Sequence, residues 1–242
     1  MAIKLESPSQ DGPGPFDSSG SILVHWSIRD VTGWKQAVLP DFSSPAFGDA
    51  LRGLGVERLT LWFQEDPPAA VARYDGTDMD TMLERAAVSS DRVIARWRGL
   101  MALFSDPSAV DTFWDASVHQ LFSWSTEREG RESEMTVIRN DNQIEAYLDM
   151  ANDFQNDPSL FKIVDRVRRH QGFTRIETWH QQVDGRNVIL VLMEADDLQG
   201  AIAALWEENN ALDRRIMKLA RSMINDPSLA PPVAKLLARW QA

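Results

Sequence analysis

Apolar and polar residues alternate with a period of two along Ile22–Arg29, putting Ile22, Val24, Trp26 and Ile28 on one face of a strand and Leu23, His25, Ser27 and Arg29 on the other. A helix is predicted from Pro45 to Leu54, stopped by Gly55. A two-faced strand follows from Arg58 to Gln64, with Leu59, Leu61 and Phe63 opposite Arg58, Thr60, Trp62 and Gln64. Asp66-Pro67-Pro68 turns the chain into a strand from Ala69 to Tyr74, and helices are predicted over 79–88 and 92–104. In the second of these, Val93, Ile94, Trp97, Leu100, Met101 and Phe104 form an apolar stripe suited to packing on a sheet.

The pattern then recurs. Strands are predicted at 135–139, 174–182 and 187–194, the last two joined through Asp184-Gly185, a strong hairpin signal. Helices are expected between 142 and 171, over 198–206 and over 212–224, and a fourth strand in each half near 118–124 and 235–240. Gly55-Val-Glu-Arg-Leu-Thr-Leu-Trp-Phe-Gln64 aligns with Gly172-Phe-Thr-Arg-Ile-Glu-Thr-Trp-His-Gln181 at an offset of 117. Asp106-Pro107-Ser108 recurs as Asp226-Pro227-Ser228 at an offset of 120. Ser44-Pro45 and Asp157-Pro158 both read as an N-cap followed by proline in the first helical turn. From proline to glycine is 10 residues in one copy and 14 in the other, a difference of about one helical turn.

The expected organisation is a disordered leader over 1–20, one βαββαβ repeat over 21–124, a solvated linker over 125–133 and a second repeat over 134–242. The fold class is α+β: two ferredoxin-like repeats whose sheets, each covered by helices on one face, close on one another as a pseudo-dimeric α+β barrel.

These residues resemble the dimeric α+β barrel superfamily, which includes antibiotic-biosynthesis monooxygenases, polyketide cyclases, chlorite dismutase-like haem proteins and sugar mutarotases. The nearest local echo, Leu51-Arg-Gly-Leu-Gly55-Val-Glu-Arg-Leu-Thr-Leu61 followed by Arg96-Trp97-Arg-Gly-Leu-Met101, is similar to the L-rhamnose mutarotase pattern. That family's helix histidine has no counterpart in Trp34–Pro40. The resemblance implies a barrel that encloses a small molecule.

Composition narrows the chemistry. There are no cysteines, which removes thiolate metal sites and nucleophilic thiols and leaves a cytoplasmic location as the expectation. The net charge of −11 opposes binding to nucleic acid. No apolar run approaches the roughly 20 residues of a membrane span. The four histidines, 25, 119, 170 and 180, lack the spacing of a zinc-protease motif, and neither a phosphate loop nor a serine-hydrolase elbow is present. Asp75, Asp78 and Asp80 are spaced for Ca²⁺ but read more simply as helix caps. No metal and no cofactor is expected. The expected partner is a small-molecule ligand, with a second copy of the chain in a homodimer as the other candidate.

His25 is the candidate acid or base, with Arg29 beside it on the proposed interior face. Arg58, Trp62, Gln64, Arg175, Glu177 and Trp179 are the candidate substrate-binding residues, guanidinium groups and indole walls for an anionic or aromatic metabolite. The competing reading has the tryptophans fill the barrel and each arginine pair with a carboxylate such as Glu177. Three functions follow: a metal- and nucleotide-independent enzyme of isomerase, cyclase or monooxygenase type; a non-catalytic binding or assembly protein with a filled barrel; and a haem-binding barrel.

Overall fold

A computed structural model describes residues 20–105, 118–126, 128–139, 144–183, 186–207, 209–223 and 233–242. The leader, both Asp-Pro-Ser motifs and the Asp184-Gly185 turn lie outside them.

Eight strands form one curled, antiparallel sheet: β1 (Ser21–Ser27), β2 (Val56–Gln64), β3 (Ala69–Gly76), β4 (Val118–Ser125), β5 (Glu132–Arg139), β6 (Phe173–Val183), β7 (Arg186–Ala195) and β8 (Val233–Gln241). Their order is β1-β3-β2-β8-β5-β7-β6-β4. Each half contributes a first, third and second strand in that order, and its fourth strand lies against the second strand of the other half, β8 on β2 and β4 on β6. The stretch 125–133 therefore carries the end of β4 and the start of β5 as well as the connection between them.

The two junctions between halves differ. β8 is laddered to β2 from Arg58 to Gln64, but to β5 only through Glu134, Met135 and Thr136. β1 and β4, at the two ends of the order, come alongside each other, and the Gln181 carboxamide from β6 serves the free edge of β1, its Oε1 accepting from the His25 N–H at 3.0 Å. The result is the α+β barrel expected from the sequence.

Helices cover the outside. On the first half lie α1 (Val31–Val38), α2 (Pro45–Gly53), α3 (Met82–Val88) and α4 (Arg92–Phe104); on the second, α5 (Ile144–Asn156), α6 (Pro158–Gln171), α7 (Leu198–Trp206) and α8 (Ala211–Met223). α1 was not anticipated, because only Trp34 and Val38 of its eight residues are buried and no long apolar stripe announces it. Aspartate side chains cap α1 (Asp30), α4 (Asp91), α6 (Asp157) and α7 (Asp197) by accepting from first-turn N–H groups. Ser44 holds the equivalent place before Pro45 without a side-chain cap, and Asp78 caps nothing either. Gly172 ends α6 at φ 89°, the left-handed conformation that favours glycine.

Strand alternation sorts the core into three layers. Val24, Trp26, Leu59, Leu61 and Phe63 pack outward against α1–α4, with Trp34 stacked on Phe63 at 5.7 Å between ring centroids. Phe122, Trp124, Ile176 and Ile189 pack outward against α5–α8. Leu23, Trp62, Val71, Met135, Val137, Trp179, Leu190 and Leu192 point inward and fill the middle of the barrel.

Candidate functional site

Charged residues take over the interior at one end of the same strands. The register sets Arg58 and Ser21 against Asp75, Leu23 against Arg73, and Arg175 against Glu194, so these side chains lie one or two steps along from the apolar middle. Arg73 is the hub. Its Nε donates to Asp75 Oδ1 at 2.6 Å, Nη1 to Glu177 Oε2 at 2.7 Å and Nη2 to Ser21 Oγ at 3.1 Å. Ser21 in turn donates to Asp75 at 2.6 Å, and Arg58 Nε donates to Asp75 Oδ2 at 2.8 Å. The second Arg58 contact, through Nη1, is with Glu129. Trp179 Nε1 donates to Glu177 Oε2 and Trp62 Nε1 to Ser133 Oγ, each at 3.2 Å, which ties the two indoles to the charged end.

Electrostatics follow from this pairing. Burial opposes charge on Arg73, yet Glu177 and Asp75 more than offset it and hold its pKa above the ordinary arginine value. Burial likewise works against Asp75, and the guanidinium groups of Arg73 and Arg58 overcome it and pull its carboxyl below the usual range. Glu194 goes the other way. Burial pushes its pKa up, and Arg175 and Arg73 only partly counter that.

The reason is geometric. Arg175 Nε stands 3.9 Å from Glu194 Oε2 and 3.7 Å from Glu177 Oε1, and Arg239 Nη2 stands 3.8 Å from Glu194 Oε1. All three distances lie outside hydrogen-bonding range. Glu194 is 5% exposed, and its Oε2 has no hydrogen-bond partner among the described residues. Arg58, Arg175 and Arg239 reach solvent at this mouth, because β8 leaves β5 after Glu134 and the wall beyond it is open.

Of the expected residues, Arg58, Arg175 and Glu177 meet here, with Trp62 and Trp179 forming the floor. His25 does not join them. It is buried and faces inward as the alternation requires, but it sits opposite Val71, four residues along β1 from Ser21 and hence about 13 Å from the charged end. Arg29 does not line the interior. β1 ends at Ser27, and beyond it Arg29 is exposed and donates to the Leu103 carbonyl at the end of α4 at 3.1 Å. Gln64 is buried and donates to the Pro67 carbonyl at 2.6 Å, holding the turn into β3. Asp75 is committed to two arginines, and no cluster suited to a metal ion occurs among the described residues. His119 and His180 face each other across β4 and β6 on the outer surface, and burial and the neighbouring imidazole lower the pKa of His119.

The residues missed were Arg73, Asp75 in its ion-pairing role, Glu194 and Arg239. A signal for three of them was present: in Val71-Ala-Arg73-Tyr-Asp75 and Leu190-Val-Leu192-Met-Glu194, charge appears at the same parity as inward-facing aliphatic residues.

A central chamber lined by His25 is not what the structure contains. Leu23, Trp62, Val71, Trp179 and Leu190 fill that space. A cavity of about 400 Å³ lies instead on the outer surface, between α2 and the start of α4, lined by Ala46, Ala50, Gly53, Ser89, Val93 and Ile94. No helix among the described residues is long and apolar enough to cross a membrane.

No protein-family model matches the chain, and no curated protein matches it. Among solved structures it is similar to an anthrone oxidase-like protein, with a TM-score of 0.52 and 10% identity over 93% of this chain and 94% of that one. It is also similar to a candidate monooxygenase from Lactobacillus acidophilus NCFM, with a TM-score of 0.50 and 7% identity over 92% and 96% of the two chains. At these identities the likeness is one of fold, and it spans both halves.

Proposed function

We propose that this chain is a small-molecule-binding barrel protein whose ligand, an anionic or aromatic metabolite, docks at the arginine-lined mouth and not in the middle of the barrel. The observation that carries this reading is the incompletely paired charge around Glu194: its buried Oε2 has no hydrogen bond among the described residues and lies 3.9 Å from Arg175 Nε, and its Oε1 lies 3.8 Å from Arg239 Nη2. Buried polar groups normally find partners, and a ligand that offers an acceptor to the guanidinium groups and a hydroxyl donor to Glu194 would complete them. In the enzymatic form of the reading, metal- and nucleotide-independent, Glu194 accepts a proton from the ligand while Arg175 and Arg239 steady the anion that forms. Its raised pKa brings it closer to working pH than an ordinary glutamate.

The filled middle favours a second reading, a non-catalytic binding or assembly protein, in which the same mouth holds a ligand without turning it over. We further propose that the halves are duplicated copies, a reading supported by the matching strand order on the two sides of the sheet and by the 117-residue offset.

Calorimetric titration of the full chain with benzoate tests the site. Binding by the wild type that R175Q weakens by about tenfold supports it. Benzoate binding that is indifferent to R175Q places the ligand elsewhere and removes the reading.

A further inference from the structure

The connection between the halves passes over the charged mouth. Thr126 N–H donates to the Thr174 carbonyl at 2.7 Å, and Arg128 pairs with Asp196. Gly130 is buried so tightly that a Cβ there would stand 2.5 Å from the Ala195 nitrogen and 2.7 Å from Thr174 Oγ1, a fit that only glycine permits without something moving. The backbone on either side of Glu129 is therefore fixed, while its side chain is more than half exposed. That side chain is placed on Arg58, within the field of Arg175 and Arg239 as well. A carboxylate from the connection thus already neutralises Arg58 at the mouth that an anionic ligand would enter.

The distances beneath it restrict what could replace it. Arg175 Nε and Glu194 Oε2, 3.9 Å apart, are too far to bond one another. They are close enough for two oxygens on adjacent carbons to satisfy both, a carboxylate oxygen accepting from the guanidinium and a hydroxyl donating to Glu194. A carboxylate alone would leave Glu194 without a donor.

Resting on the reading of the mouth as the binding site, we infer that Glu129 is a built-in stand-in for the ligand's anionic group, displaced when the ligand enters, and that the ligand is an acid with a hydroxyl on the carbon next to its carboxylate. Glu129 then sets specificity as well as access. A neutral ligand gains nothing by displacing it, whereas an acid keeps Arg58 neutralised throughout.

The test uses a matched pair of probes, mandelate and phenylacetate, which differ only in that hydroxyl. Both are titrated calorimetrically into the full chain as wild type, E129Q and R175Q. Mandelate is expected to bind the wild type about tenfold more tightly than phenylacetate, and E129Q to tighten both acids by about tenfold. Equal affinity for the two acids overturns the hydroxy-acid assignment, and an unchanged affinity in E129Q overturns the stand-in role. If either happens while R175Q still weakens binding by about tenfold, the site reading survives without this inference. Binding that R175Q leaves intact, or no binding of either acid to wild type and E129Q, sinks both.

Discussion

The middle of the barrel and its charged end are built from the same strands and the same inward face, yet they solve opposite problems. In the middle, Leu23, Trp62, Val71, Trp179 and Leu190 are all buried, and of these side chains only the two indole N–H groups need a polar partner, which Ser133 and Glu177 supply. Two steps along, Arg73, Glu177 and Glu194 are buried almost as completely, and Asp75 is largely so. There each charge must be matched by another, because an isolated ion in such surroundings costs several kcal/mol. The difference tracks the wall. Where β8 is paired on both sides the interior is dry, and where β8 parts from β5 the arginines reach water. A closed section of barrel therefore supports the fold, and the open section exposes its charge.

Trp179→Ala should have the largest effect, about 4 kcal/mol of lost stability in urea unfolding, since it empties a packed site in the middle. A loss below about 1 kcal/mol would mean that the middle is not packed as described. Arg73→Met should cost about 3 kcal/mol by taking from buried Glu177 its hydrogen-bonded cation and from Asp75 one of its two, and adding E177M should recover much of that loss.

Two carboxylates at the charged end should respond oppositely to pH. The pKa of Asp75 is lowered in the folded state, so its contribution is present above the ordinary value of 3.8 and is lost as pH falls through the lowered value. Asp75→Asn should therefore be less stable than wild type at neutral pH and converge with it in acid. The pKa of Glu194 is raised, so its contribution is fully present below 4.5 and is lost as pH rises through the raised value. Glu194→Gln should be more stable than wild type at neutral pH and converge with it in acid. Melting curves of the two variants across pH check the pair, and parallel slopes would remove the assigned asymmetry. The smallest stability change belongs to Arg239→Gln, about 0.5 kcal/mol or less, because this guanidinium is a third exposed and its ion-pair distance to Glu194 is 3.8 Å. The same variant should still weaken the binding of organic acids measurably, which separates a binding role from a structural one.

Much of this was legible in the sequence. Strand parity correctly placed Trp62, Trp179, Arg58, Arg175 and Glu177 inside the barrel, because side-chain direction in a strand depends only on counting by twos. Parity carries no information on height along the barrel or on where a strand stops. That is why His25 was grouped with arginines about 13 Å away and Arg29 was drawn inside from beyond the end of β1. The exchange of fourth strands between halves is likewise a matter of tertiary pairing that local pattern does not encode, and it alone brings Arg239 of β8 to Glu194 of β7. Arg73 and Glu194 could have been found by treating charge at inward parity in an otherwise aliphatic strand as a warning of a buried site.

The division between a filled middle and an open, arginine-lined mouth is tested most directly by following side-chain resonances while benzoate is titrated into isotopically labelled protein. The arginine Nε–H signals of Arg58, Arg175 and Arg239 should move together and saturate, while the His25 ring and the methyl groups of Val71 stay where they are. Movement at His25 and Val71 with the three arginines unaffected would contradict the account.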